Sequence, residues 1–513
     1  RSYRARGKTK PILASEAVEV RSPVPAGRAT PVVSGGFVDR ERELEVLAQA
    51  LGNAVRTRRS SVLVVTAEPG AGKTRLAAEF ARRRSDAILL TGRCTAYGQR
   101  LPLFPIAGAL QELIGLPEEA PKQVADRAVR RLADRVAGQG RGHELTSGLM
   151  LLLGTVAPHS VRHREDAVGQ ALRTARAVLE GLAREGPVVA VLDDLHWADA
   201  YLLELLHTSR ANPWSGSVLF LGLSRPEALD AEDALPTLQL RALPEQRLRE
   251  LGELALGPGV PAQVLQRIAA RASGNPLFLE ESLSMLVESG ALVRGGGGWV
   301  VADPQALDRV PATIRTLIAA RLDGLPPDEK RVLQDAAVCG EAISDRLLDG
   351  ISAVGDVRSA LRRLAKRDLL RRRSRSRLPG AREYVFKHVL IRDVAYESLP
   401  RRDRCSLHLR IASWLREASG LPEEPAAELA YHYEQAWRLS RSRAAETADK
   451  RLAGLAAVYL GRWADVTLTY QARMAETLYR RAIRAAEEQQ LVVTMACTFG
   501  REERELDYLA AVK

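Results

Sequence analysis

Cysteine is scarce in this chain. Its 513 residues hold four, Cys94, Cys339, Cys405 and Cys497, with no CxxC pair and no histidine cluster beside them. Neither a disulfide framework nor a zinc site is implied, and a reducing, cytoplasmic setting is expected. Long apolar runs are lacking too. The longest, around residues 149–157 and 188–192, fall well short of the roughly 18 residues of a membrane span. No signal peptide with an apolar centre opens the sequence. Collagen-like, fibrous and low-complexity compositions are absent, and an apolar fraction of 46% supports packed cores. At about 150 residues per domain, the length accommodates three or four of them.

Positive charge is unevenly spread. The net charge is +12, yet residues 361–410 alone carry 16 Lys and Arg against 5 Asp and Glu, and residues 1–10 add five basic residues without an acid. The remainder is mildly acidic. A basic protein in the general sense is therefore excluded, and one local concentration of charge needs explaining. The first residue is Arg and the last stretch stays helical in pattern without a cap; both ends read as cuts in a longer protein.

Residues 21–36, with three Pro and three Gly, have linker composition. Beyond them, acidic residues followed by Leu44, Leu47 and Leu51 predict a helix capped by Asp39. Strands are expected at 61–67, 87–91, 188–192 and 217–223, with helical periodicity between them, which predicts a doubly wound parallel sheet. From 235 to 292 the pattern is helical, and glycines at 295–298 mark a turn. Residues 311–399 read as three helices and then two strands, 370–376 and 383–387, around Pro379 and Gly380. That is the element order of a winged helix. From 401 onward Ala-rich stripes resemble a helical-repeat array. The expected organisation is a domain remnant at 1–20, a linker at 21–36, a nucleotide-binding unit at 37–234, a helical lid at 235–300, a winged helix at 305–400 and tetratricopeptide-like repeats at 401–513.

The strongest chemical signal is AEPGAGKT at 67–74. It lies between an apolar strand and a helix and departs from the GxxxxGK[ST] phosphate loop only in Ala67. Gly70 and Gly72 let backbone amides around Ala71 curl about phosphate oxygens, and the positive end of the following helix, at Arg75, faces the same anion. Lys73 would bring its charge to the β and γ phosphates of ATP or ADP, and the Thr74 hydroxyl would ligate Mg²⁺. A phosphate loop binds; hydrolysis needs a second, acidic strand end. PVVAVLDD at 187–194 supplies it. Asp193 would hold the Mg²⁺ through water and Asp194 would orient the attacking water; paired aspartates there also suit a simple helix cap. Arg225, closing the apolar run 217–223, would reach the γ-phosphate from the carboxyl edge of the sheet, its plainer reading being a surface arginine before Pro226.

With these residues the chain resembles the STAND class of signalling P-loop ATPases in the AAA-related superfamily, as found in large ATP-binding bacterial regulators, some behind class III nucleotidyl cyclases. The resemblance covers about residues 37–440. FVDRE at 37–41 is similar to a FVGRE segment that lies against adenine, implying nucleotide contacts for Val38 and Arg40, with Asp39 in place of the usual glycine. DDLHWAD at 193–199 matches the class without departure. GNPLF at 274–278 implies that Pro276 packs on the base from the lid. VFKHVLIRDVAY at 385–396 resembles FRHALIRDVAY, whose histidine, here His388, touches the β-phosphate of ADP; a lone histidine at a helix start is otherwise a structural residue. YRARGKTKP at 3–11 looks like the last strand of a cyclase domain, with no cyclase catalytic residue in the chain.

The implied function is a slowly hydrolysing ATP switch that controls an output domain outside this chain, with a protein partner or ligand on the repeats, self-association in the ATP state and no membrane. Two alternatives stay open: a DNA-binding transcription regulator using the basic winged helix, and the regulatory half of a class III cyclase. A degenerate scaffold is disfavoured by the full phosphate and Mg²⁺ set. The basic segment RRLAKRDLLRRRSRSR at 362–377 suits either DNA phosphates or a latch against the acidic remainder of the chain.

Overall fold

A computed structural model of the chain describes residues 2–3, 12–13 and 36–487, the last span without 95–102, 117–121, 138–141, 154–163, 227–234, 296–297, 341, 374–380, 418–424, 441–445 and 469–471. The pair β1 (Ser2–Tyr3) and β2 (Ile12–Leu13) is antiparallel. Most of the tail expected to be a cyclase remnant, the linker and the Pro379-Gly380 turn lie outside the described residues.

Five parallel strands form the central sheet: β3 (Ser61–Thr66), β4 (Ile88–Arg93), β5 (Val188–Asp193), β6 (Val218–Ser224) and β7 (Thr237–Gln239), in the order β4-β5-β6-β3-β7. The β-branched runs explain why both faces are covered, since alternate residues serve opposite cores. Val62, Val64, Ala190 and Phe220 pack with α3 (Phe104–Leu113), α4 (Lys122–Ala137), α5 (Gly142–Leu152), α6 (Arg164–Leu182) and α7 (Ala200–Ala211). Leu63, Val65, Val191 and Leu221 pack with Leu44, Leu47 and Leu51 of α1 (Glu41–Thr57) and with Leu76 and Phe80 of α2 (Lys73–Arg83). Each fully buried Val, Leu or Phe contributes about 1.5–3 kcal/mol relative to exposure. This is the doubly wound sheet of a P-loop NTPase, followed by a region rich in helices.

Two sequence expectations need correction here. β7 extends the sheet past the boundary expected at residue 234, because three residues pairing beside β3 suffice for an edge strand. Asp39 does not cap α1: Asp39 and Arg40 both take left-handed backbone angles (φ 60° and 76°), and Arg40 stands at the cap position with no side-chain cap bond. Asp is among the few residues besides glycine that adopt this conformation readily, which explains how it stands where the similar segment has glycine.

Beyond the sheet, α8 (Glu245–Leu256), α9 (Ala262–Arg271) and α10 (Pro276–Glu288) share one core. A hairpin of β8 (Leu292–Gly295) and β9 (Gly298–Val301) stands where the sequence suggested only a turn. Next come four helices, α11 (Ile314–Asp323), α12 (Pro327–Cys339), α13 (Asp345–Ile351) and α14 (Val357–Lys366), one more than expected, and then β11 (Leu370–Arg372), β12 (Glu383–Phe386) and α15 (Val389–Ser398). A further short strand, β10 (Ala342–Ser344), completes an antiparallel sheet of order β10-β12-β11. The helices α16 (Arg401–Glu417), α17 (Ala426–Ser440), α18 (Glu446–Leu468) and α19 (Ala472–Glu487) then pack in sequence around Ala430, Tyr433, Leu460 and Ala485.

Candidate nucleotide site

The carboxyl ends of β3, β4, β5 and β6 lie side by side, with Arg93 in register with Asp193 and Thr66 with Ser224. Ligands of open α/β sheets bind at this edge. The 67–74 loop leaves β3 and enters α2 there. Gly70 (φ 85°) and Gly72 (φ 97°) adopt angles that residues with a Cβ rarely take, which turns the loop back on itself. Lys73 Nζ donates to the carbonyls of Ala67 (2.6 Å) and Glu68 (3.2 Å), inside the loop. Burial lowers the Lys73 pKa, while Asp193 and Asp194 favour its charge and Arg225 opposes it. Ala71 closes the turn with its amide on the Glu68 carbonyl at 3.2 Å. Arg75 is exposed on the first turn of α2 and lies close enough to Glu280 to act on its charge.

The acidic strand end sits opposite. Thr74 Oγ1 is 3.2 Å from Asp193 Oδ2. Burial, and then the charge of Asp194, push the Asp193 carboxyl up. A divalent cation relieves both effects, and this hard-oxygen pair suits Mg²⁺, which keeps most of its ligands as water. Asp194 takes a left-handed angle (φ 55°) and receives Arg93 Nε and Nη2 at 3.0 and 2.8 Å. The next segment turns back through a short 3-10 helix, Leu195–Trp197, and Asp199 caps α7 by accepting from the Leu202 amide at 2.7 Å. His196 lies within the field of Asp194, Arg225, Lys73 and Arg93; burial is the main cause that lowers its pKa, and its Nδ1 is buried without a hydrogen-bond partner.

The sequence reading missed Arg93 and Asn275. Arg93 ends a strand in an ordinary GR pair, which carries no signal at sequence level. Asn275 had one, since Asn before Pro at a helix start reads as a cap. Its Oδ1 accepts from the amides of Leu277 (3.0 Å) and Phe278 (3.4 Å), and its Nδ2 donates to the Pro69 carbonyl at 3.1 Å. The Leu277 amide also faces the Gly70 carbonyl at 3.4 Å. A Cβ on Gly70 would come within 2.7 Å of Leu277 Cβ and 2.8 Å of Asn275 Oδ1. The start of α10 is thus seated on the phosphate loop, with Pro276 as its first residue.

The remaining site residues are distributed around this centre. Phe37 packs on the sheet core and Val38 on the core of α8–α10, so the segment joins the two. Arg40 is buried and engaged by protein groups, donating to Glu43 Oε1 (2.8 Å) and the Arg241 carbonyl (2.7 Å). These bonds brace the segment that enters α1 against the chain between β7 and α8. Arg225 lies close enough to Lys73 and His196, and to Asp393 on α15, to act on their charges. His388 stands at the start of α15 without capping it. Its Nε2 is buried without a hydrogen-bond partner, and burial, aided by Lys387, Arg371 and Arg321, pushes its pKa down to about 3. No cluster of three or more potential metal ligands from His, Cys, Asp and Glu occurs among the described residues.

Residues 36–221 match the AAA ATPase domain family. The greater part of the α/β region is therefore similar to AAA ATPase domains. A curated relative, an uncharacterized protein of Rhizobium meliloti (strain 1021), is 28% identical over 422 residues. The match takes in 76% of this chain and 38% of that protein, so the chain spans well under half of the relative's length. Among solved structures, a Signal Transduction ATPase with Numerous Domains carrying a tetratricopeptide repeat sensor, from Pyrococcus horikoshii, is similar at TM-score 0.46 and 14% identity, over 90% of this chain and 60% of that one. Cdc6p of Pyrobaculum aerophilum is similar at TM-score 0.33 and 13% identity, over 72% and 98%. No helix among the described residues is long and apolar enough to cross a membrane.

Proposed function

We propose that the chain is an ATP-binding, slowly hydrolysing switch whose lid and following units respond to the nucleotide. The observation that carries this reading is the contact of Asn275 with the phosphate loop, because it ties the lid to the backbone that would cradle the phosphates. Lys73 leaves its two loop carbonyls for the β and γ phosphates, at little cost since it is already held in the loop. Thr74 and Asp193 would hold Mg²⁺, which supplies charge neutralisation on the phosphates when bound. Asp194 orients the attacking water once Arg93 shifts from it, so the ion pair restrains hydrolysis and supports a slow rate. Arg225 and His388 would sense the γ and β phosphates, and Pro276 would face the base.

Residues 305–400 fit a winged helix and residues 401–487 fit tetratricopeptide-like repeats that receive a protein or ligand; the output domain would lie outside this chain. Calorimetry with ATP and ADP tests the reading: Lys73→Ala should abolish binding, and Asp194→Asn should keep binding while losing turnover by about 100-fold or more. Unchanged ATP affinity in Lys73→Ala would overturn it.

A further inference from the structure

The basic segment divides into two sets of cations that the sequence could not separate. On α14 the apolar residues Val357, Ala360, Leu361 and Leu364 are buried. One flank is spent internally: Arg363 pairs with Asp328 and, at 2.7 Å, with Glu329 of α12, and Arg367 reaches Glu329 at 2.7 Å. The opposite face carries Arg358, Arg362 and Lys366, four residues apart and all exposed. Four residues of α-helix rise about 6 Å, so the three charges form one straight row. Beside them Arg371, Arg372 and Arg373 are exposed on and just after β11.

Arg358, Arg371 and Arg373 are paired more loosely than Arg363 and Arg367, at 3.4 Å to Asp345, 3.9 Å to Asp368 and 3.5 Å to Glu383. Arg362, Lys366 and Arg372 have no ion pair among the described residues. Nor does this row hold the unit to the lid. Among the described residues, the ion pairs that reach α10 come from Arg321 on α11 and from Lys387.

We propose that this outward row is a docking surface for double-helical DNA, read through its phosphates without sequence preference. Like charges crowded on one face repel each other, and a polyanion removes that repulsion while releasing its own counterions. The row lacks the Asn or Gln that reads base edges. The major groove of B-DNA, about 12 Å wide, admits a helix of this kind, whereas the deep, narrow major groove of A-form RNA does not. The inference goes beyond the nucleotide switch and does not depend on it.

The test uses the full chain, a labelled 24-base-pair duplex of arbitrary sequence and fluorescence anisotropy over 50–200 mM NaCl. The logarithm of affinity should fall linearly with the logarithm of salt. Each phosphate contact contributes about 0.9 to that slope, so the variant R362A/K366A/R372A should lose about 2.7 of it. ATP affinity in the same variant should stay as in the parent chain. R127A/R130A/R131A removes three exposed cations from α4 and should leave the slope unchanged. No binding by the parent chain at 100 mM salt, equal slope losses in the two variants, or equal affinity for double-stranded RNA would each overturn the proposal.

Discussion

Replacing Arg321 with Met probes the charged junction between α10 and α11. The Arg321 side chain is 3% exposed and Glu281 is 1% exposed. Arg321 donates to Glu281, to Glu288 at 2.5 and 2.9 Å, and to the Arg367 carbonyl at 2.7 Å. Burial works against the guanidinium charge, yet the bonds and charges of Glu288 and Glu281 outweigh it and hold the pKa above the ordinary value. Lys387 extends the network, 2.5 Å from Asp368 and 3.9 Å from Glu281. Met fills the space of the Arg stem but leaves Glu281 buried with only the distant Lys387. Breaking one side of a buried pair costs about 3–5 kcal/mol, mostly as desolvation of the stranded partner. Since every 1.4 kcal/mol is tenfold, amide hydrogen exchange in α10 and α11 should accelerate by about 140- to 3700-fold, with little change in the sheet. The double variant E281Q/R321M should recover part of the loss, because the most deeply buried carboxylate is then no longer stranded, while Glu288 keeps some access to water. Acceleration below about fivefold in R321M would refute the reasoning, since it would mean that water already screens the network.

Asn275→Asp should retain the cap on α10, because a carboxylate accepts the Leu277 and Phe278 amides equally well. It loses the donor to the Pro69 carbonyl, a change worth about 1–3 kcal/mol when a buried acceptor is left unpaired. ADP should therefore dissociate about 5- to 100-fold faster in stopped-flow displacement, and parental rates would exclude the coupling. A pH effect is expected at the buried pair His408 and His432, whose Nδ1 atoms lie 2.8 Å apart and which Tyr396 joins through its hydroxyl at 3.0 Å. Arg392 and Arg404 lie nearby, and burial pushes His432 down to about 3 and His408 well below the ordinary imidazole range. Both imidazoles are neutral when folded and protonate when unfolded, so stability is complete above about pH 6.5 and declines as pH falls from there toward 3. Each imidazole contributes a loss of about 1 kcal/mol per pH unit. The thermal midpoint measured between pH 7 and 5 should fall, and less steeply in His432→Gln; equal slopes would contradict the assignment.

The sheet and phosphate loop were legible because their physics is local. A short, valine-rich apolar run such as 188–192 reads as a strand covered on both faces, and glycines at 70 and 72 just before Lys73 read as a phosphate-loop turn. Three elements escaped. β7 and β10 are three residues each and gain their hydrogen bonds from strands distant in sequence, while the β8–β9 hairpin is local but its four-residue strands meet at a glycine run that reads as a bare turn. Asp39 read as a cap because cap preference is a local average, while its actual backbone angle is imposed by the junction that Arg40 braces.

What the amino-acid sequence determined by itself was the list of chemical groups: Lys73 and Thr74 at the end of a glycine loop, Asp193 and Asp194 at a strand end, and a surplus of arginine between 361 and 410. Tertiary structure alone decided how those groups are spent. It set Arg93 on Asp194 and Asn275 on Pro69, across 101 and 206 residues of chain. It also divided one run of cations into some paired with acids, as Arg363 and Arg367 are with α12, and others, Arg362, Lys366 and Arg372, exposed without an ion pair among the described residues. Charge is written in the sequence, but its compensation depends on which acid lies within about 4 Å, and only the folded chain fixes that distance.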